Sequence, residues 1–262
     1  MRLGCCGGLE RAQEMKNAGF DFIEVNVQGV LRGDMPGSEW DRQAPDRAKV
    51  ALPIEAANCL LPATLPVVGP DRDDAALREY MQRVAGRAQR LGIDRFVFGS
   101  GAARRAPDGY PRKSVTADLR SFCHMAGEIC AQHGVVVVIE HLNKSETNTL
   151  NSLKEAAHLA DAVAHPNVRV LVDSYHFGVE HESDEALIAL GDRIAHVHVA
   201  EPIDRIQPGG HERKGDAAKS FDFDHFFCLL RKLGYEQRVS IEAGWTTSLE
   251  ADAPACVEML RA

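Results

Sequence analysis

Several features that mark other protein classes are missing from this sequence. No apolar run approaches the roughly 18 residues that a membrane span needs, and the N-terminus has no charged segment followed by an apolar one. The seven cysteines include no C-x-x-C pair, which favours reduced thiols in a cytoplasmic protein. A basic stripe is also missing, because the net charge is −8 with acids and bases interspersed. We therefore expect neither a membrane nor a nucleic-acid partner.

The strongest structural signal is an apolar run of four valines and an isoleucine at 135–139. The run has no alternation of apolar and polar residues, so it predicts a strand that is buried on both faces, as in a parallel sheet covered by helices. It ends abruptly at Glu140. In a (β/α)8 barrel, the C-terminal ends of the strands carry the chemistry.

The rest of the chain repeats this unit. Strand patterns alternate with helix patterns eight times, and the 262 residues match the roughly 250 of a typical (β/α)8 barrel. We therefore predict one α/β domain over residues 1–262, a single (β/α)8 TIM barrel. Between the second and third strands we predict a loop at 33–45, which is rich in Gly and Pro, and then a short helix at 46–52.

Four polar residues end the last four predicted strands. These residues are Glu140, Asp173, His198 and Glu242, and in a closed barrel they converge over the axis. Three carboxylates brought together repel one another, and a cation relieves that repulsion. The donor set suits Mn²⁺ best, with Mg²⁺, Co²⁺ or Zn²⁺ as alternatives. His196, in the same strand as His198, is expected to lie between the barrel and its helices as a buried core histidine.

The order of these motifs resembles the xylose isomerase-like barrel superfamily of sugar isomerases and epimerases. The motifs are Ile-Glu140-His-Leu-Asn143, Val-Asp173-Ser-Tyr-His176, His196-Val-His198 and Ile-Glu242-Ala-Gly. The resemblance implies that Glu140, Asp173, His198 and Glu242 bind one divalent metal ion. It also implies that Glu140 and Glu242 exchange the proton.

The resemblance implies substrate contacts as well. Glu146 and His176 match positions that touch substrate hydroxyls. Arg205 lies near a substrate-binding arginine, although it is one residue further from His198 than in the epimerases. His211, on the long polar loop 201–219, is a further candidate that either closes over substrate or is simply solvated.

Such a site fits proton transfer beside a carbonyl group. A divalent ion stabilises the ene-diolate, and two opposed glutamates move the proton, which epimerises or isomerises a small sugar or hydroxy-ketone. A dehydratase of an inosose-like polyol ketone would use the same metal. An apurinic endonuclease would need further histidines where strands three and four end, and the sequence has none there. A non-catalytic sugar-binding barrel would not need two opposed carboxylates. The oligomeric state is not fixed, and a homo-oligomer stays open.

Overall fold

Eight parallel strands close into a barrel in a computed structural model that describes residues 1–262. The strands pair in chain order, and the last strand pairs with the first. This architecture confirms the predicted TIM barrel. The strands are β1 (Arg2–Cys6), β2 (Phe22–Asn26), β3 (Ile54–Asn58), β4 (Arg95–Phe98), β5 (Val136–Glu140), β6 (Val168–Asp173), β7 (Ile194–Val199) and β8 (Arg238–Ile241).

Helices cover the outside of the barrel and fill the connections between strands. The helices are α1 (Ala12–Ala18), α2 (Gly37–Gln43), α3 (Asp74–Leu91), α4 (Arg112–Ala131), α5 (Leu153–Val163), α6 (Ser174–Val179), α7 (Asp184–Ile188), α8 (Gly210–Arg213), α9 (Phe223–Lys232) and α10 (Leu249–Arg261). Local signals set their ends: Asp73 caps α3 by accepting from the backbone N–H of Ala75 and Ala76, and α3 ends at Gly92 with φ 84°. No helix of the chain combines the length and the hydropathy that crossing a membrane requires.

The region between β2 and β3 differs from the prediction. The expected loop at 33–45 contains α2, and the expected helix at 46–52 is only one 3₁₀ turn. Tertiary packing accounts for α2: Trp40 is buried, its indole N–H donates to the carbonyl of Val30 at 2.9 Å, and the guanidinium of Arg87 lies 4.9 Å from its ring. Gly and Pro content alone could not reveal that contact.

The barrel interior has an apolar layer and a polar layer. Val138 and Leu171 pack together inside the barrel, each two residues before the polar residue that ends its strand. His196 also points inward, where it contacts Glu24, so the expected position between barrel and helices is wrong. Residues two apart in a strand share a face, and His196 therefore follows His198 into the interior.

Ion pairs close the N-terminal end of the barrel. Arg238, at the start of β8, donates to Glu55 Oε2 at 2.5 Å and to both oxygens of Asp94, at 2.7 and 3.0 Å. Arg2 donates to the other oxygen of Glu55 at 2.5 Å. Strands β1, β3, β4 and β8 are thus linked at this end by charges that all have partners.

Candidate metal centre and active site

The four polar strand ends meet at the C-terminal mouth of the barrel. Glu140 and Asp173 are the last residues of β5 and β6, His198 is the penultimate residue of β7, and Glu242 follows β8 directly. One donor atom from each lies within 4.8 Å of the donor atoms of the other three. The barrel therefore brings together the four residues that the sequence predicts to converge over its axis.

Hydrogen bonds hold the imidazole of His198 on one side and leave it free on the other. Its Nε2 lies 2.9 Å from Glu24 Oε1, inside the barrel. Its Nδ1 faces the mouth, 3.3 Å from Glu140 Oε1 and 3.4 Å from Glu242 Oε2. An ionised carboxylate only accepts hydrogen bonds, so Nε2 carries a hydrogen, and Nδ1 is the nitrogen through which the neutral ring can bind a metal ion.

Glu242 is held by one residue at a strand end and one residue on a loop. Asn58, the last residue of β3, donates to Glu242 Oε1 at 3.0 Å. Arg205 donates to Glu242 Oε2 at 2.7 Å and to Glu146 Oε1 at 3.3 Å, and its guanidinium stacks 4.4 Å from the ring of Tyr175. Arg205 thus joins the rim of the site to one of its central carboxylates.

His176 lies beside Asp173 and is neutral. Its Nδ1 accepts the backbone N–H of Asn143 at 3.0 Å, so Nε2 carries the hydrogen and lies 3.6 Å from Asp173 Oδ2. Burial, followed by the charge of the neighbouring His141, lowers the pKa of His176 to about 2. The side chain of Asn143 also donates to Glu146 at 3.0 Å, which links two of the expected substrate residues.

A cavity of about 300 Å³ opens next to these residues. Its polar lining includes Gln28, Asn58, Ser100, Glu140, Glu146, Arg205 and Glu242. His211 does not line this cavity. It is buried in α8, with Nε2 3.0 Å from the carbonyl oxygen of Ile203, and a substrate contact for His211 remains a prediction.

The crowding of acids at the mouth shifts their proton affinities. Burial, followed by the charge of Glu140, raises the pKa of Asp173 to about 7, and burial also raises the pKa of Glu140. Burial opposes ionisation of Glu242 too, but His198 and Arg205 outweigh it and lower the pKa of Glu242. Burial likewise opposes the charged form of His198, but Glu24 and Glu242 raise its pKa well above the usual value. The site therefore favours positive charge at its centre.

The donor atoms fit a divalent cation. Three buried atoms at the centre have no hydrogen-bond partner: Glu140 Oε1, Asp173 Oδ2 and His198 Nδ1. Bound Mn²⁺, Mg²⁺ or Zn²⁺ would lie about 2.0–2.2 Å from such atoms, which puts the donors roughly 3–4 Å apart. The observed spacing within 4.8 Å is close to that requirement.

Some residues of the site were missed in the sequence. Glu24 is a lone acid inside the apolar strand pattern of β2. A buried charge needs partners, so this position could have been predicted to belong to the site. Asn58 and Asn143 gave no comparable signal. Gly99 matters through space: a Cβ there would lie 2.1 Å from Glu140 Oε2, so only glycine leaves room for that carboxylate.

Comparisons with known proteins agree with this geometry. A family model described as a xylose isomerase-like TIM barrel matches residues 12–262. The chain is 28% identical to an L-ribulose 3-epimerase of Methylomonas sp. over 230 residues, which cover 86% of this chain and 74% of that protein. It is 25% identical to a ketose 3-epimerase of Arthrobacter globiformis over 264 residues, 93% and 83% of the two chains. The crystal structure of a 3-keto-D-glucoside 4-epimerase from E. coli superposes with a TM-score of 0.78 at 20% identity, covering 100% of this chain and 99% of that one.

Proposed function

The chain belongs to the xylose isomerase-like TIM-barrel family, and from this premise we propose that it is a sugar epimerase or isomerase that depends on one divalent metal ion. The substrate is a small ketose or hydroxy-ketone. The ligands are Glu140, Asp173, His198 and Glu242, and Mn²⁺ is favoured over Mg²⁺, Co²⁺ or Zn²⁺ because three of the four ligands are carboxylates. The similarity to the two 3-epimerases supports the reaction class.

One observation carries the metal proposal. Three buried donor atoms in one cluster have no hydrogen-bond partner: Glu140 Oε1, Asp173 Oδ2 and His198 Nδ1. Leaving a buried polar atom without a partner costs about 1–3 kcal/mol. A single cation at the centre satisfies all of these atoms at once.

The chain's own residues divide the chemistry between them. When bound, the ion supplies a Lewis acid for the negative charge that develops on the substrate oxygens. Glu140 and Glu242 come from β5 and from the end of β8, so they approach a substrate from different sides of the barrel mouth. One takes the proton beside the carbonyl and the other returns it on the opposite face, which inverts that carbon.

The two glutamates are already distinguished by their surroundings. Glu242 accepts hydrogen bonds from Arg205 and Asn58, which keep it ionised and in position to accept a proton as a base. Glu140 Oε1 receives no such hydrogen bond, so this carboxyl group holds and delivers a proton more readily. Because epimerisation is reversible, these roles exchange in the reverse direction.

The cavity favours a short, neutral polyol ketone. Its lining carries amide, hydroxyl and carboxylate groups that match sugar hydroxyls, including Gln28, Ser100 and Glu146. The one cationic side chain in the lining is Arg205, which is already paired with Glu242 and Glu146. A phosphate or carboxylate on the substrate would find no free positive side chain there. We therefore expect unphosphorylated ketoses to be the better substrates.

The proposal is tested by turnover in D₂O. The protein with Mn²⁺ is incubated with a panel of ketoses and with hydroxypyruvate, and the products are followed by NMR. Epimerisation through proton transfer places one solvent deuteron at the inverted carbon. Conversion without deuterium would point to hydride transfer, loss of water from the substrate would identify a dehydratase, and no conversion of any ketose would contradict the proposal. The Glu55→Gln variant, altered at the opposite end of the barrel, is the matched control.

A further inference from the structure

We propose that Glu24 is a positioning residue for His198, and that His196 is the second support that holds Glu24 in place. The inference rests on the proposed function, because it concerns how one ligand of the metal is oriented. It assigns a role to a carboxylate that touches neither the cavity nor the centre of the metal site. It also gives a role to the histidine pair 196 and 198, whose two members share one face of β7.

The geometry consists of one carboxylate bonded by two imidazoles. Glu24 Oε1 lies 2.9 Å from His198 Nε2, and Glu24 Oε2 lies 2.8 Å from His196 Nε2. All three side chains are 0% exposed. Ser240 Oγ, 3.3 Å from the same nitrogen of His196, completes the enclosure. With each oxygen bonded to a different ring, the carboxylate plane is fixed from both sides.

This arrangement selects the tautomer that a metal needs. A carboxylate accepts hydrogen bonds from both rings, so each histidine is protonated at Nε2. Nδ1 of His198, which faces Glu140 and Glu242, is then the nitrogen that the neutral ring offers to a metal ion. Metal-binding histidines commonly donate their other N–H to a carboxylate in this way, which fixes the ring and raises its basicity. Without Glu24, the buried ring could rotate or carry its proton on the wrong nitrogen.

A competing interpretation is a second metal site. Cys6, Glu24 and His198 also offer donor atoms within 4.8 Å of one another. However, both oxygens of Glu24 are already engaged by imidazole N–H groups, and a second ion would have to displace those protons. The hydrogen-bonded arrangement leaves no orphaned oxygen on Glu24, in contrast to Glu140 and Asp173. The cluster is therefore better suited to support than to coordination.

The Glu24→Gln variant tests the inference, because an amide has the same shape but one oxygen and one NH₂ group. The amide oxygen can accept from only one ring, and the NH₂ group forces the other ring to change tautomer. We expect Mn²⁺ to bind about 10–100-fold more weakly than in the unaltered protein, as measured by calorimetric titration. We also expect a tautomer change at His196 in ¹⁵N NMR spectra of histidine-labelled, metal-free protein. Glu55→Gln, the same change at the far end of the barrel, should alter neither quantity.

The possible outcomes separate this inference from the proposed function. If the unaltered protein binds no divalent ion, the proposed function fails. If it binds one ion and Glu24→Gln binds it equally well with unchanged tautomers, the positioning role alone is overturned. Binding of two ions, with the second lost in Cys6→Ser, would also overturn it in favour of coordination. Should Glu24→Gln fail to fold, Glu24→Asp keeps the charge but is too short to reach both rings, and weaker Mn²⁺ binding is again expected.

Discussion

At the N-terminal end of the barrel, Arg238 lies between Glu55 and Asp94 with every charge paired, whereas at the C-terminal end Glu140 and Asp173 have buried oxygens without any hydrogen bond. Both ends are built from strand-terminal residues of the same sheet. The base joins acids to arginines from strands that are not adjacent in the barrel. The mouth collects Glu140, Asp173 and Glu242 around His198 and Arg205, whose positive charges do not neutralise all of these carboxylates.

The difference indicates what each end was selected to do. Paired charges at the base hold strands together and need no further ligand. Unpaired acids at the mouth oppose folding, a cost that is typical of functional sites and that a bound cation would relieve. The same division is general in TIM barrels, where the C-terminal face carries the chemistry and the N-terminal face contributes to stability. A glutamate-to-glutamine change is therefore expected to lower activity at the mouth and to lower stability at the base.

Glutamate-to-glutamine changes give the largest expected contrast. If the proposed mechanism holds, Glu140→Gln or Glu242→Gln should lower kcat/KM by about 10²–10⁴-fold or more, because each would lose a proton-transfer group and a charged metal ligand. In the presence of chelator Glu140→Gln should melt no lower than the unaltered protein, since one of the repelling acids has become neutral, whereas Glu242→Gln should melt lower because it loses its ion pair with Arg205. Steady-state kinetics and calorimetric melting measure the two effects.

Glu55→Gln is the matched change at the base. It should leave kcat/KM unchanged and lower the melting temperature by about 2–6 °C, as expected for a loss of about 1–2 kcal/mol in a chain of this size. Retained turnover in Glu140→Gln would contradict a functional role for the mouth. A loss of stability in metal-free Glu140→Gln as large as in Glu55→Gln would contradict the difference between the two ends.

Metal removal should affect the mouth alone. We expect EDTA to lower turnover by at least 100-fold and Mn²⁺ to restore it. At Mn²⁺ concentrations of about 100 Kd, the bound ion should stabilise the fold by about 2.7 kcal/mol. Thermal melts with and without Mn²⁺ measure this shift, which Glu55→Gln should keep and Glu242→Gln should largely lose. Full turnover in chelator would argue against the metal centre.

Much of this contrast could be predicted from the sequence, because barrels repeat. The strand ends follow from the valine run before Glu140 and from the spacing to Asp173, His198 and Glu242. Closure of the barrel then brings these strand ends together. Local caps such as Asp73 and Gly92 set the ends of α3 to the residue. These signals are local or periodic, and a single sequence carries them fully.

The remaining features depend on contacts between distant residues. Glu24 lies more than 170 positions from His196 and His198, and only the closed barrel brings them together. Helix α2 depends on the burial of Trp40 beneath α3. The amino-acid composition of α2 does not predict that contact. The role of Gly99 cannot be predicted from the sequence either, because this glycine leaves space for the side chain of Glu140 on the next strand.

Gly99→Ala sharpens the comparison by changing the mouth without changing a charge. An added Cβ would lie 2.1 Å from Glu140 Oε2, so the carboxylate must move. Moving a catalytic group by about 1 Å costs roughly 10²-fold in rate. We expect that loss in kcat/KM. The control is Gly37→Ala, where a Cβ meets nothing within 4 Å and activity should be unchanged. Normal turnover in Gly99→Ala would mean that the position of Glu140 is less constrained than the packing indicates.

Arg238→Gln makes the smallest expected change in function and tests the base directly. The variant removes hydrogen bonds to both Glu55 and Asp94, and because the Arg238 side chain is only 18% exposed, we expect a loss of about 2 kcal/mol in unfolding free energy. Arg238→Lys should lose less, since it keeps the charge but not the forked geometry. Chemical denaturation measures both, and kcat/KM should stay the same in each. A fall in kcat/KM with unchanged stability would show that the base shapes the mouth, because strand β8 carries Arg238 at one end and leads into Glu242 at the other.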